Sequence, residues 1–70
     1  MNLVIRVFPK QKRTSFSSQN VSFDGDQITV KKLLQHLNLS TDEYKACRGI
    51  DFLSLDSLLL PNETINIIPI

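Results

Sequence analysis

The chain has one cysteine, Cys47, in 70 residues. That count excludes an intramolecular disulfide and leaves neither a cysteine pair nor a Cys/His cluster to hold a metal. No apolar run is long enough to cross a bilayer, and no basic segment followed by an apolar one opens the chain, so a soluble protein of the cytoplasm is expected. Charge of one sign is not in excess either: eight Lys and Arg stand against seven Asp and Glu, for a net charge of +1. Internal repeats, linkers and low-complexity stretches are absent. Three Asn-x-Ser/Thr triplets begin at Asn20, Asn38 and Asn62, but they carry meaning only in a secreted setting. What is present is a 41% hydrophobic content, enough for one core and one domain over residues 1–70, near the size at which chains need a staple to fold.

The opening run alternates with period two. Leu3, Ile5 and Val7 form a wholly aliphatic face, expected to be the core face, while Val4, Arg6 and Phe8 take the other. Pro9 and the polar stretch from Lys10 to Ser15 make a turn before a second run from Phe16 to Phe23, in which Val21 and Phe23 share a face, so a hairpin is expected. Asp24-Gly25-Asp26 signals a turn, with Gly25 free to take positive φ. A helix follows: Thr29 suits the N-cap, and Val30, Leu33, Leu34 and Leu37 fall at i, i+3, i+4 and i+7, one stripe able to cover a sheet. Asn38 can end it in a left-handed conformation. Ser40-Thr41-Asp42-Glu43 reads as a capped turn, and a short strand is expected within Tyr44 to Phe52 around Gly49. Leu53 to Leu60 fits a strand, a helical turn, or a loop with buried leucines. Pro61-Asn62-Glu63 punctuates the chain, and the last eight residues, Glu63 to Ile70, read as a terminal strand.

A hairpin, a helix, a weak strand and a returning strand give the order ββαββ, with about four strands and the first and last parallel, because right-handed crossovers are strongly preferred. This α+β arrangement is the β-grasp, or ubiquitin-like, architecture. Within it, Ile28-Thr29-Val30-Lys31-Lys32-Leu33-Leu34-Gln35-His36-Leu37-Asn38-Leu39 resembles the helix start of the ThiS/MoaD sulfur carriers, and Leu55 to Pro69 resembles their final segment. Where that family typically has Gly-Asp before the last strand, this chain has Asn62-Glu63, a mild departure because Asn also tolerates left-handed turns.

The resemblance implies a terminal Gly-Gly that threads into an adenylating enzyme and becomes an acyl-adenylate and then a thiocarboxylate. Here the sequence reads Pro69-Ile70 instead. Ile70 is β-branched and stiff, so sulfur carriage for thiamine or molybdopterin synthesis needs a small-residue tail beyond it.

A binding surface is the leading expectation. Val4, Arg6 and Phe8 should face away from the helix, with Asn66, Ile68 and Ile70 beside them in a parallel neighbour, leaving an apolar patch on an open sheet face. The expected partner-binding residues are Val4, Arg6, Phe8, Ile68 and Ile70, in a non-catalytic interaction module or small regulatory subunit. The resemblance suggests an adenylating enzyme or a cofactor-synthase large subunit as the protein partner. The plainer alternative has Phe8 and Ile68 covering each other or lying beneath a loop, and a one-residue slip in register would exchange the faces. The last strand is also a candidate exposed edge for strand addition.

Lys10, Lys12, Arg13, Lys31 and Lys32 could form a basic edge, with Phe16 or Tyr44 stacking on bases. The near-neutral total favours ordinary solvated residues, so nucleic acid is not the expected partner. Cys47 and His36 are not brought together by sequence, and no other nucleophile–base arrangement occurs, so no enzyme activity and no small-molecule substrate are expected. Asp24, Asp26, Asp42 and Glu43 read as turn residues rather than cation ligands. No cofactor, no metal and no membrane association are expected.

Overall fold

A computed structural model describes residues 1–10 and 16–70. Among the described residues, seven strands and one helix follow one another: β1 (Asn2–Val7), β2 (Ser17–Ser22), β3 (Ile28–Thr29), α1 (Val30–His36), β4 (Tyr44–Arg48), β5 (Asp51–Leu53), β6 (Leu58–Leu59) and β7 (Thr64–Pro69). The main sheet is mixed and five-stranded, in the order β2-β1-β7-β4-β5, and β3 pairs with β6 in a separate two-stranded ribbon. β1 and β7 run parallel, with Ile5 beside Ile65 and Val7 beside Ile67.

The sheet has more strands than the ββαββ expectation. The single strand expected around Gly49 is a hairpin, β4 and β5, closed by Gly49 and Ile50 between the paired Arg48 and Asp51. Gly49 sits at φ +63°, and a glycine with positive φ in the first turn position suits the twist of a two-residue hairpin. The leucine-rich stretch is neither a long strand nor a helical turn. Only Leu59 of its leucines is fully buried, held there by the pairing of Leu58–Leu59 with Ile28–Thr29.

The helix is short because both ends are stopped locally. The Thr29 hydroxyl accepts from the Lys32 N–H at 3.2 Å, while the Val30 and Lys31 N–H groups donate to the Ser57 and Leu55 carbonyls. At the other end Asn38 takes φ +59°, and the Leu39 and Asn38 N–H groups donate to the Leu34 and Gln35 carbonyls, the double bond of a Schellman ending.

One side of the sheet and the apolar stripe of α1 form the core. Leu3, Ile5, Val21, Ala46, Ile65 and Ile67 from the sheet, Val30, Leu33 and Leu34 from the helix, and Ile28 and Leu59 from the ribbon make one buried cluster. Among the described residues no charged side chain is buried in it. The strict alternation of burial along β1 and β7 fixes which residues look the other way.

The open face of the sheet

Away from the helix, the sheet presents three adjoining rows. The middle row crosses all five strands through Ser18, Arg6, Asn66, Cys47 and Phe52. On one side lie Asn20, Val4 and Thr64, and on the other Ile68 beside Lys45, with Phe8 bonded through its N–H to the Ile67 carbonyl. Val4, Phe8 and Ile68 are half-buried and Arg6 is exposed. Ile70 continues the alternation, 68% exposed, its N–H donating to the Glu43 carbonyl at 2.9 Å. The expected patch residues therefore share one side of the sheet.

Aromatic side chains widen this surface. Phe16 meets Phe8 with ring centroids 5.2 Å apart, and the Arg6 guanidinium lies 5.4 Å from the Phe16 centroid. At the far edge Lys45 Nζ sits 3.9 Å over the Phe52 ring. Each cation stands on an aromatic face, and the three rows contain no carboxylate; Glu43, opposite Ile70 at their margin, is ion-paired with Lys10. Such contacts hold a charge in place while leaving its outer side free for an acceptor. A cleft of about 240 Å³ opens where β1 leaves the sheet, lined by Val7, Phe8, Pro9, Phe16, Ser17 and Tyr44.

The centre of the face is tighter. Cys47 is buried, and its burial pushes the thiol pKa up, against the opposing pull of the Lys45 charge. Asn66 Oδ1 is buried with no hydrogen-bond partner. The protonated thiol acts as a small apolar group here rather than a nucleophile. His36 lies in the opposite layer, edge-on to Phe23 at 4.7 Å.

The remaining candidate residues are scattered. Lys10 is ion-paired with Glu43, and its pKa is raised first by that hydrogen bond. Lys31 and Lys32 are exposed on the helix, in the layer opposite the open face. Lys12 and Arg13 lie outside the described residues, so a basic edge does not assemble from those that are described. Among the described residues no group of three or more His, Cys, Asp or Glu is arranged to hold a metal ion, and no helix is long and apolar enough to cross a membrane.

The edge expected of the last strand is corrected by the sheet order. β7 is hydrogen-bonded on both sides, to β1 and to β4, because a parallel return beside β1 puts it in the middle. Its contribution to the open face is through the side chains of Thr64, Asn66 and Ile68, not through free backbone. Period-two reading found Val4, Arg6 and Phe8 but missed Phe16, Lys45 and Phe52. Their membership depends on the pairing registers of β2, β4 and β5, for which the sequence carries no local signal. Compared with known proteins, the chain matches no family model and no curated protein sequence.

Proposed function

We propose that the chain is a ubiquitin-like β-grasp module, not an enzyme, that binds a protein partner through the open sheet face. The strand order β2-β1-β7-β4-β5 with a parallel central pair supports the β-grasp reading. The observation that carries the functional one is the composition of the face: Val4, Phe8, Phe16, Phe52 and Ile68 lie among two cations, Arg6 and Lys45, and the adjoining carboxylate, Glu43 opposite Ile70, is ion-paired with Lys10. Apolar groups that water would otherwise cover give binding energy, and cations at the margin set orientation and partner choice. The partner is accordingly a protein surface with an apolar centre and an acidic rim. Val4, Arg6, Phe8 and Ile68 make the contact, with Ile70 at its margin.

The test compares affinity capture from host extract by the unmodified chain, by Arg6→Glu/Lys45→Glu, and by Lys31→Glu/Lys32→Glu, which makes the same charge change on the helix. Selective loss of one captured protein with the first pair alone supports the reading. Equal retention by all three baits refutes it. The intact mass of the recovered bait tests the sulfur-carrier alternative in the same experiment: a small-residue tail, or a terminal thiocarboxylate with an adenylating enzyme as the captured protein, would establish that chemistry instead.

A further inference from the structure

The registers fix where the two cations of the open face stand. Arg6 on β1 lies beside Asn66 on β7, and Asn66 lies beside Cys47 on β4. Lys45 is two residues before Cys47, in the next row, beside Ile68. The cations are therefore two strands and one row apart. With strands about 4.8 Å apart and a rise of about 3.3 Å per residue, their Cα atoms are separated by roughly 12 Å.

Neither cation has a carboxylate partner among the described residues, whose ion pairs are Lys10 with Glu43 and Arg48 with Glu63. Residues 11–15 contain no Asp or Glu. Phe16 and Phe52 hold the two charges instead, at opposite flanks of the face. Between them lie the half-buried Phe8 and Ile68 and the buried Cys47. Beyond Ile68, the Lys10–Glu43 pair opposite Ile70 closes the margin without net charge. The charge left without a partner is thus arranged across the strands, with apolar surface between its two halves.

We infer that the face takes an extended peptide segment laid across β1, β7 and β4, in the pattern acid-x-apolar-x-acid. This rests on the docking reading above and adds the form of the partner. In an extended chain residues i, i+2 and i+4 point to the same side, and i to i+4 spans about 13 Å, close to the separation of Arg6 and Lys45. The middle side chain falls over β7, against Ile68, where removal of apolar surface from water supplies affinity. The two carboxylates reach Arg6 and Lys45 and fix the placement of the segment. Acids only two residues apart span about 7 Å and cannot reach both cations.

The test titrates the full chain with two end-blocked synthetic peptides of one composition, followed through backbone amide shifts in NMR spectra. Glu-Thr-Leu-Thr-Glu has the inferred pattern, whereas Thr-Glu-Leu-Glu-Thr keeps the charge but turns both carboxylates away from the leucine. The first should bind at least about fivefold more tightly, shift the amides of Arg6, Lys45 and Ile68, and weaken with added salt. Arg6→Gln and Lys45→Gln should each lower its affinity, and Lys31→Gln/Lys32→Gln should leave it unchanged. Equal affinity for the two peptides, shifts centred on the helix, or no binding of either at about 5 mM overturns the proposal. The docking reading fails separately: selective capture of a folded partner with neither peptide bound refutes the extended segment alone, whereas equal capture by all baits refutes the docking reading whatever the peptides do.

Discussion

Arg48 Nε lies 2.6 Å from Glu63 Oε1. The second carboxylate oxygen of Glu63 accepts from Arg48 Nη2 at 3.0 Å and from the Leu60 N–H at 2.8 Å. This pair ties the end of β4 to the turn that leads into β7. Burial pushes the Glu63 carboxyl up, but the hydrogen bonds from Arg48 and Leu60, with the Arg48 charge, outweigh it and hold the pKa below its ordinary value of 4.5.

A folded-state pKa below the unfolded one means that ionised Glu63 stabilises the fold fully above the ordinary carboxylate range, and that this stability is lost as pH falls through the folded value. The Arg48 side chain is 44% exposed, so solvent screening reduces the contribution to about 1 kcal/mol. Urea unfolding of Glu63→Gln should show that deficit at pH 7 and a much smaller one near pH 3. An equal deficit at both pH values would contradict the assignment.

Leu34 is fully buried between helix and sheet, so Leu34→Ala should cost ~2–5 kcal/mol. For a chain this short that approaches the whole stability. Ile67→Val, at a fully buried position of the central strand, provides the graded version at ~0.5–1.5 kcal/mol. Thermal melting followed by circular dichroism reads both, and a change in melting temperature too small to measure for Leu34→Ala would mean that the helix does not pack as described.

The elements that were legible in the sequence are those with local causes. Thr29 as N-cap, Asn38 as a left-handed stop and Gly25 at positive φ each follow from one side chain and its neighbours. The alternation of Leu3, Ile5 and Val7 gave the core face of β1, and through it the open face. The β4–β5 hairpin was hidden because Asp51-Phe52-Leu53 is too short and too exposed to alternate visibly. The β3–β6 ribbon was hidden because two residues hold no period at all. β7 was recognisable as a strand, but its central place comes from bonds to β1 and β4, which no local pattern records. The same limit concealed Phe16, Lys45 and Phe52.

Asn38 at φ +59° occupies a conformation that costs most residues roughly 1 kcal/mol and glycine almost nothing. Asn38→Ala should lower stability by about 1 kcal/mol, and Asn38→Gly should remain within a few tenths of the parent. Chemical denaturation of the two variants side by side checks this; alanine matching glycine would mean that the helix ends elsewhere.

Asn66 Oδ1 is buried without a partner, and such a group costs ~1–3 kcal/mol in desolvation. Asn66→Val removes the polar atom and suits a strand, so stability should hold or rise by about 1 kcal/mol. A clear loss in the denaturation midpoint would mean that the Asn66 amide makes a bond in solution.

The central claim is that the open sheet face is a docking surface, and quantitative capture with Arg6→Glu/Lys45→Glu against Lys31→Glu/Lys32→Glu tests it most directly. With all baits folded by circular dichroism, one protein of acidic surface should fall at least about tenfold in recovery with the sheet-face pair and stay unchanged with the helix pair. Recovery that falls equally with both, or with neither, would contradict the account.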